Sequence, residues 1–247
     1  MNRQWGLGLS ELLISLFLAS IIMTTLIHVY IATKRHYLEM QKILERRFEL
    51  QWVSDLLSDS IRRAGFTPCM GIERLKSLDM RHSGERLWGV KTDNQSHPFI
   101  QINKMSEVFA EEVSFLSPTE LVTASPVVFN AHRPLMIADC QHAEVHQILN
   151  VEPYNSGQKI TLVKAKMYPY ESVVYVGEWV EERWFIKSNA HHRNTLHYQS
   201  TQSEELSPFI HSLSTIQYQI HDKTILKITL GLEQEKTHEL TVAVRGS

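Results

Sequence analysis

The sequence has few cysteines, little net charge and none of the short motifs that mark common enzyme sites. Its 247 residues include only two cysteines, Cys69 and Cys140, too few for a four-cysteine zinc site or a disulfide-rich miniature scaffold. The 25 Lys and Arg residues nearly balance the 27 Asp and Glu residues, so the chain lacks the bulk positive charge typical of nucleic-acid binders. The sequence also lacks the nucleophile-elbow, phosphate-loop and dinucleotide-binding glycine motifs, which argues against those classes of enzyme.

Histidine, by contrast, is abundant, and its thirteen residues raise the alternative of a metal-binding protein. His142 and His146 are four residues apart, but the segment around them is predicted to be a strand, in which such residues lie about 13 Å apart. His191 and His192 lie in a polar stretch with no carboxylate or cysteine nearby in the sequence. We therefore expect no catalytic residue, no metal ligand set and no cofactor, and we keep a membrane-anchored metal-binding protein only as an alternative.

Charged residues are missing from one long segment near the amino terminus. From Leu12 to Thr33, roughly 22 residues contain no Asp, Glu, Lys or Arg. As a helix with a rise of about 1.5 Å per residue, this segment is long enough to span a membrane. Its serines and threonines, Ser15, Ser20, Thr24 and Thr25, can return their hydroxyls to the main-chain carbonyls four residues earlier. A secretory signal peptide is the alternative, but its apolar region is shorter and is followed by a cleavage site of small residues.

Proline and glycine are also missing, from Leu9 to Ala64, so we predict one continuous helix that ends at Gly65. Pro68 then prevents the helix from resuming. Beyond the span, apolar residues recur at helical spacing in two adjacent stripes, which predicts a face broad enough to cover a sheet. The stripes are Tyr37, Met40, Leu44, Phe48, Trp52 and Leu56, and Ile43, Leu50, Val53, Leu57 and Ile61. A single-pass membrane protein with a juxtamembrane coiled coil shares part of this pattern.

The rest of the sequence has the period of two that is typical of β-strands. Alternation in Thr224–Leu230 and Glu239–Val244 predicts an antiparallel sheet with one buried face, so the predicted fold class is α+β. Pro68–Ser125 is predicted to be rich in loops, and Ser188–Ser207 to be an exposed loop around a short strand. The predicted strands are Val127–Phe129, Glu144–Leu149, Lys159–Val163, Ser172–Val176, Trp184–Ile186, Ile216–Ile220, Ile225–Leu232 and His238–Val244.

The first residues of the chain, Met1 to Glu11, read MNRQWGLGLSE and resemble the amino-terminal signature of type IV pilins and type II secretion pseudopilins. In that family a short leader ends in Gly, and a Glu stands at the fifth position of the mature chain, ahead of a long apolar run. Gly6 matches the residue before the cut, Leu7 the new amino terminus and Glu11 the glutamate. Leu7 stands where the family more often has phenylalanine.

This resemblance implies that a prepilin peptidase removes Met1–Gly6 and that the new amine of Leu7 is methylated. It also implies that Glu11 pairs with the terminal ammonium of a neighbouring subunit, since an ion pair in an apolar bundle is poorly screened. The implied fold is type IV pilin-like, with a long helix packed on an antiparallel sheet. The implied parts are a leader at 1–6, a membrane-spanning half-helix at 7–33, an amphipathic half-helix at 34–65 and an extracytoplasmic β-rich domain at 66–247.

Two further segments are similar to the PilW family of minor pilins. Leu57–Cys69, which reads LSDSIRRAGFTPC, resembles the end of that family's helix, where Asp and Arg precede an Ala-Gly-aromatic step and a Cys follows. Ala138–Ile148, which reads ADCQHAEVHQI, resembles the family's entry into a strand after Asp-Cys. The resemblance implies a disulfide between Cys69 and Cys140. Two free thiols are the alternative, because buried unpaired cysteines are common.

The function implied by the resemblance is that of a non-catalytic minor pilin, held in the inner membrane and then incorporated at or near a pilus tip. Its implied partners are other minor and major pilins, the prepilin peptidase, the pilus assembly platform and a tip adhesin, with no specific nucleic acid. A large tip-type pseudopilin of a type II secretion system is the main alternative.

The charges that flank the apolar run favour the opposite orientation in the membrane. Only Arg3 and the α-amine precede the run, whereas five basic residues follow it. Because basic residues concentrate on the cytoplasmic side, this distribution alone places the carboxyl-terminal part in the cytoplasm. The resemblance implies the reverse, with the carboxyl-terminal domain outside the cytoplasm. The five residues are Lys34, Arg35, Lys42, Arg46 and Arg47.

Overall fold

A single long helix, α1, begins the described part of the chain. In the computed structural model it runs over Leu9–Arg62, a length of 54 residues. Within the apolar run, Ser15 and Ser20 donate hydroxyl hydrogen bonds to the carbonyls three residues earlier, and Thr24 and Thr25 to those four residues earlier. The prediction of bonds to carbonyls four residues earlier is confirmed for the two threonines, whereas the serines bond one residue closer; all four hydroxyls are satisfied inside the helix. The structure describes residues 8–82, 84–95, 97–124, 126–155, 157–170, 173–189, 192–220, 223–233 and 236–244.

The helix ends where the sequence predicts. Gly65 has a φ of +70°, a conformation that costs glycine little because it has no Cβ. The Gly65 N–H donates to the main-chain oxygen of Asn103 (2.8 Å), and the Met105 N–H donates to that of Phe66 (3.0 Å). Main-chain pairing therefore begins immediately after the helix.

Only the last turns of α1 bury apolar side chains. Val53, Leu57 and Ile61, which belong to the second predicted stripe, are buried. Their spacing of four residues places them on one narrow face of a helix. In the first stripe, Tyr37 to Trp52 are exposed. The prediction of a broad covering face is therefore correct only for these last turns.

Fourteen strands follow α1 in the described residues, and the chain divides into two compact units, Met1–Gln51 and Trp52–Ser247. A short 3₁₀ helix, Ile72–Arg74, precedes the first strand. The strands are β1 (Lys76–Asp79), β2 (Val90–Asp93), β3 (Phe99–Ala110), β4 (Val113–Ser117), β5 (Glu120–Thr123), β6 (Pro134–Ala138), β7 (His142–Tyr154), β8 (Gly157–Leu162), β9 (Tyr175–Ser188), β10 (Asn194–Gln199), β11 (Ser203–Ser207), β12 (Ile210–Ile220), β13 (Lys223–Leu232) and β14 (Thr237–Ala243).

The strands form two sheets. The larger has eleven strands, with β11-β10-β9-β6-β7-β8-β5-β4 in sequence across it, β1 beside β7, and β3 between β9 and β2. The smaller has the order β12-β13-β14. Among the described strands, only β1 and β7 pair in parallel, with Lys76 opposite His142. The α+β class and the antiparallel pairing are thus confirmed, with β1 as the exception.

The region predicted to be rich in loops contains five strands, and the region predicted to be a loop around one short strand contains two. Strands β1 to β5 lie within Pro68–Ser125, and β10 and β11 lie within Ser188–Ser207. Leu196 on β10 is fully buried, so this region is not a simple exposed loop. Conversely, Val127–Phe129 is not a strand: the Phe129 N–H donates to the side chain of Gln158 (2.9 Å) rather than to a ladder.

Candidate membrane anchor and disulfide site

The amino-terminal part of α1 is long and apolar enough to span a membrane, by length and composition. From Leu9 to Ile31 its large apolar side chains are exposed. Water solvates such a surface poorly, and a helix of this kind is stable where lipid or other apolar helices surround it. This surface is the first candidate site of the molecule.

Glu11 lies in the first turn of α1. Its main-chain N–H donates to the oxygen of Gly8 (2.9 Å), and its side chain is exposed. A carboxylate near a helix amino terminus is favoured by the helix dipole, but the same group in lipid is costly unless it is paired. Gly6 and Leu7, the predicted processing residues, lie outside the described residues.

The segment after α1 places Cys69 close to the sheet. The Thr67 hydroxyl donates to the main-chain oxygen of Met70, which closes a turn around Cys69. The Ile72 N–H then donates to the oxygen of Gly65 (2.9 Å). Two hydrogen bonds therefore fix the short loop that carries the first cysteine.

The second cysteine lies in a tight turn between β6 and β7. The buried Asp139 side chain accepts the main-chain N–H groups of Gln141 (2.7 Å) and His142. The Asp139 N–H donates to the oxygen of His142 (2.9 Å). Short acidic side chains stabilise turns in this way because they replace a main-chain acceptor. Asp139 thus positions Cys140, and the Asp-Cys step has a structural role in this turn.

Cys69 and Cys140 form a disulfide. Their Cα atoms are 5.2 Å apart, and 71 positions separate them in the sequence. The bond links the segment that follows α1 to the turn between two central strands of the larger sheet. The predicted pairing is therefore present, and the alternative of two free thiols is wrong.

A buried acid and histidine lie just beyond this turn, on β7. Glu144 Oε2 lies 2.7 Å from His146 Nε2, and both side chains are fully buried. Glu144 Oε1 accepts the N–H groups of Met167 (2.8 Å) and Tyr168 (2.6 Å). Glu144 thereby attaches the loop after β8 to β7. The sequence suggests His146 only as a candidate metal ligand, but the two-residue spacing of Glu144 and His146 on a strand is the signal for their contact.

The histidines do not assemble a metal site in the described residues, where no group of three or more His, Cys, Asp or Glu side chains is arranged to hold an ion. His142 stacks on Tyr168, with ring centroids 4.4 Å apart. His192 is exposed, and His191 lies outside the described residues.

A second charged cluster lies between β1 and β9. Arg81 Nη2 donates to Asp79 Oδ2 (2.8 Å) and to Glu181 Oε1 (2.6 Å). The indole N–H of Trp179 also donates to Glu181 (2.8 Å). Burial by itself raises the pKa of Asp79, but the hydrogen bonds and charge of Arg81 outweigh it and lower that pKa below its ordinary value of 3.8. No pattern in the sequence predicts this cluster.

In comparisons with known proteins, no family model, curated protein or solved structure matches this chain.

Proposed function

We propose that this chain is a PilW-like minor pilin, a non-catalytic subunit that is anchored in the inner membrane and then built into a pilus at or near its tip. The observation that carries the proposal is α1. It combines an exposed apolar run, one carboxylate in its first turn, and a final segment that is buried in a β-rich unit. A membrane anchor alone needs neither an unbroken helix of this length nor an acid at its start.

Glu11 has a specific role in this proposal. In lipid, or in a bundle of apolar helices, an unpaired carboxylate is costly, and a nearby ammonium group relieves that cost. Removal of Met1–Gly6 creates such an ammonium at Leu7. When the helices pack side by side, Glu11 of one subunit pairs with the amine of its neighbour and fixes their relative height.

The disulfide supports an extracytoplasmic domain. Disulfides persist in oxidising compartments such as the periplasm and are rare in the cytoplasm, where thiols are kept reduced. This argument opposes the distribution of basic residues after the span. We give the disulfide greater weight, because a covalent bond reports the compartment in which the domain matured, whereas charge counting reports only a tendency.

The partners in this proposal are other pilins, which contact the exposed first stripe of α1, and the prepilin peptidase and assembly platform in the membrane. A tip adhesin is a further partner. Co-purification distinguishes a pilus from a type II secretion system. Recovery of the chain with pilus subunits supports a minor pilin. Recovery with type II secretion pseudopilins instead would assign the chain to that system.

Intact mass spectrometry tests the proposal directly. The full chain is extracted from the membranes of the cells that produce it, and is alkylated before and after reduction. We expect the loss of Met1–Gly6, one methyl group on Leu7, and two cysteines that react only after reduction.

Two variants sharpen this test. Gly6→Val places a branched side chain beside the bond to be cut and blocks processing, whereas Gly8→Val, on the far side of that bond, is the matched control and is still processed. An uncut amino terminus in the wild-type chain, with both thiols free, contradicts the proposal and indicates an ordinary anchor with a cytoplasmic domain.

A further inference from the structure

Two edge strands border one cavity in the unit Trp52–Ser247. In the described residues, β2 pairs with β3 alone and β12 pairs with β13 alone, so each has one open edge. A cavity of about 490 Å³ is lined by Val90 of β2 and by Gln217 and Gln219 of β12, and it extends to Thr224 of β13. We call this cavity the interstrand cleft.

The main chain of β12 directs hydrogen-bonding groups toward its open edge. Asn94, just after β2, accepts the Thr215 N–H at Oδ1 (2.9 Å) and donates from Nδ2 to the Thr215 oxygen (2.6 Å). The Thr215 main chain therefore points away from β13. Because successive residues of an antiparallel strand alternate in direction, Gln217 and Gln219 point the same way.

The open edge of β2 is arranged in the same manner. The Asn103 N–H donates to the oxygen of Gly89 (2.8 Å), so Gly89 is directed toward β3. Val90, the next residue, then directs its N–H and C=O away from β3. The lining residues Val90, Gln217 and Gln219 thus direct main-chain donors and acceptors away from their own sheet partners, and these are the groups that an additional strand would use.

The Asn94 side chain occupies the open edge of β12 at Thr215, two residues before Gln217 of the interstrand cleft. Its amide makes with Thr215 the two hydrogen bonds that a peptide group of a neighbouring strand would make. With a rise of about 3.3 Å per residue, Thr215 to Gln219 covers about 13 Å. A segment of four or five extended residues is long enough to continue from the amide along this edge.

Charged and aromatic groups complete the interstrand cleft. The Arg86 guanidinium lies 4.9 Å from the centre of the Trp88 ring and donates to the main-chain oxygen of Glu73 (2.7 Å). Arg86 and Trp88 are exposed on the wall. Glu73 Oε1 accepts the Gly89 N–H (3.3 Å), while its buried Oε2 has no hydrogen-bond partner. Of these groups, the exposed Arg86 guanidinium is the one that a partner's acidic side chain can reach.

We propose that the interstrand cleft receives an extended segment of a partner protein, which adds as a strand to the open edge of β12 and places an acidic side chain beside Arg86. Strand addition gives affinity through main-chain hydrogen bonds and selectivity through the side chains that alternate along the segment. Charge favours an acidic segment over a basic one. This proposal goes beyond the pilin assignment and does not depend on it.

A binding experiment with the full chain in detergent tests the proposal. The probe is a fluorescent, capped six-residue peptide of alternating threonine and valine with one glutamate in third position. Two control peptides have lysine in place of glutamate, or N-methyl groups on alternate amides. We expect saturable binding of the probe, measured by fluorescence anisotropy, and at least threefold weaker binding of both controls, because each loses one kind of contact.

Two variants at Gln217 distinguish the contribution of its main-chain N–H to binding from that of its side chain. Gln217→Pro removes an N–H that faces the open edge, and proline is tolerated at such positions. It should weaken binding about three- to tenfold, whereas Gln217→Ala keeps the main chain and should bind as the wild type does. Circular dichroism and intrinsic tryptophan fluorescence, to which the buried Trp179 and Trp184 contribute, check that both variants fold.

Three results would overturn the proposal. The first is the absence of saturable binding by the wild-type chain. The second is equal binding of the probe and its N-methylated control to the wild-type chain, a comparison that does not depend on the folding of any variant. The third is a dimer that forms with concentration and is lost in Gln217→Pro, since a second copy of this chain would then occupy the edge.

Discussion

Two buried carboxylates of the β-rich unit, Glu144 and Asp79, are compensated by different partners. Glu144 contacts a histidine and two main-chain N–H groups and is sealed from solvent. Asp79 contacts an arginine that also reaches Glu181, at the edge of the sheet. Replacing a partner therefore has a different consequence at each site.

Removal of the histidine beside Glu144 should be costly. His146→Leu leaves one oxygen of a fully buried carboxylate without its partner, and we expect the free energy of unfolding to fall by about 2–4 kcal/mol. Urea unfolding of the full chain in detergent measures the change. The double variant Glu144→Gln with His146→Leu should recover part of the loss, because the amide carries no charge. A double variant less stable than the single one would contradict this explanation.

The stability of the domain should also depend on pH through Asp79. Its folded-state pKa lies below 3.8, so its contribution is complete above that pH and is lost as the pH falls through the folded-state pKa. Asp79→Asn should lower the free energy of unfolding at pH 7 by about 1–3 kcal/mol, because a charged hydrogen bond to Arg81 is lost. It should also flatten the acid limb of the stability curve.

Urea unfolding midpoints between pH 2 and pH 7 measure this effect. The matched control is Glu239→Gln, which removes the exposed pair of Glu239 with Lys227 (2.9 Å). Exposed pairs contribute little, so this variant should follow the wild-type curve. An unchanged acid limb in Asp79→Asn would show that another carboxylate dominates acid unfolding.

Among the secondary-structure elements, the sequence best predicts those that are determined by residues within the element itself. The absence of Gly and Pro from Leu9 to Ala64 and the glycine at 65 predict the single helix and its end. The predicted strands Ile225–Leu232 and His238–Val244 correspond to β13 and β14, because each alternates clearly between a buried and a more exposed face. Predictions of this kind need no knowledge of distant partners.

The strands that sequence reasoning missed depend on tertiary contacts. In β3 the register shifts between Met105 and Phe109, so the alternation that begins at Ile100 is interrupted. Strand β1 has only four residues and pairs in parallel with β7, a partner far along the chain. Phe129 is buried without joining a ladder. No local pattern encodes any of these contacts, and the same is true of Asn94 against Thr215.

The disulfide should be a large contributor to the stability of the unit that contains it. It closes a loop of 71 positions, and in the chain-entropy model such a loop stabilises by about 4 kcal/mol. The double variant Cys69→Ala with Cys140→Ala should lose about this much free energy of unfolding, as measured in urea. Reductant should destabilise the wild-type chain and leave the double variant unchanged. Equal midpoints of the oxidised and double-variant chains would assign the bond a negligible role.

For the molecule as a whole, the apolar run of α1 should determine its attachment to the membrane. Leu18→Lys with Ile22→Lys places two charges near the middle of the run, each costing about 2.5–3.5 kcal/mol in lipid. We expect this variant to leave membranes during alkaline carbonate extraction, whereas the wild-type chain stays. Leu44→Lys with Phe48→Lys, in the exposed first stripe beyond the run, is the control and should stay. Retention of the first variant would mean that another part of the chain holds the protein.

The position of the disulfide also has a mechanical consequence. A pulling force that enters the β-rich unit through α1 reaches Cys69 only a few residues after the helix ends and passes through the covalent bond to Cys140. Strands β1 to β6 lie between these two residues, outside the path of the tension. When the chain is stretched from its ends, the segment between Cys69 and Cys140 cannot extend while the bond is intact. At roughly 3.4 Å per residue, this segment has a contour length of about 240 Å. Under load, the strands after Cys140 would extend first, while the first six would be shielded.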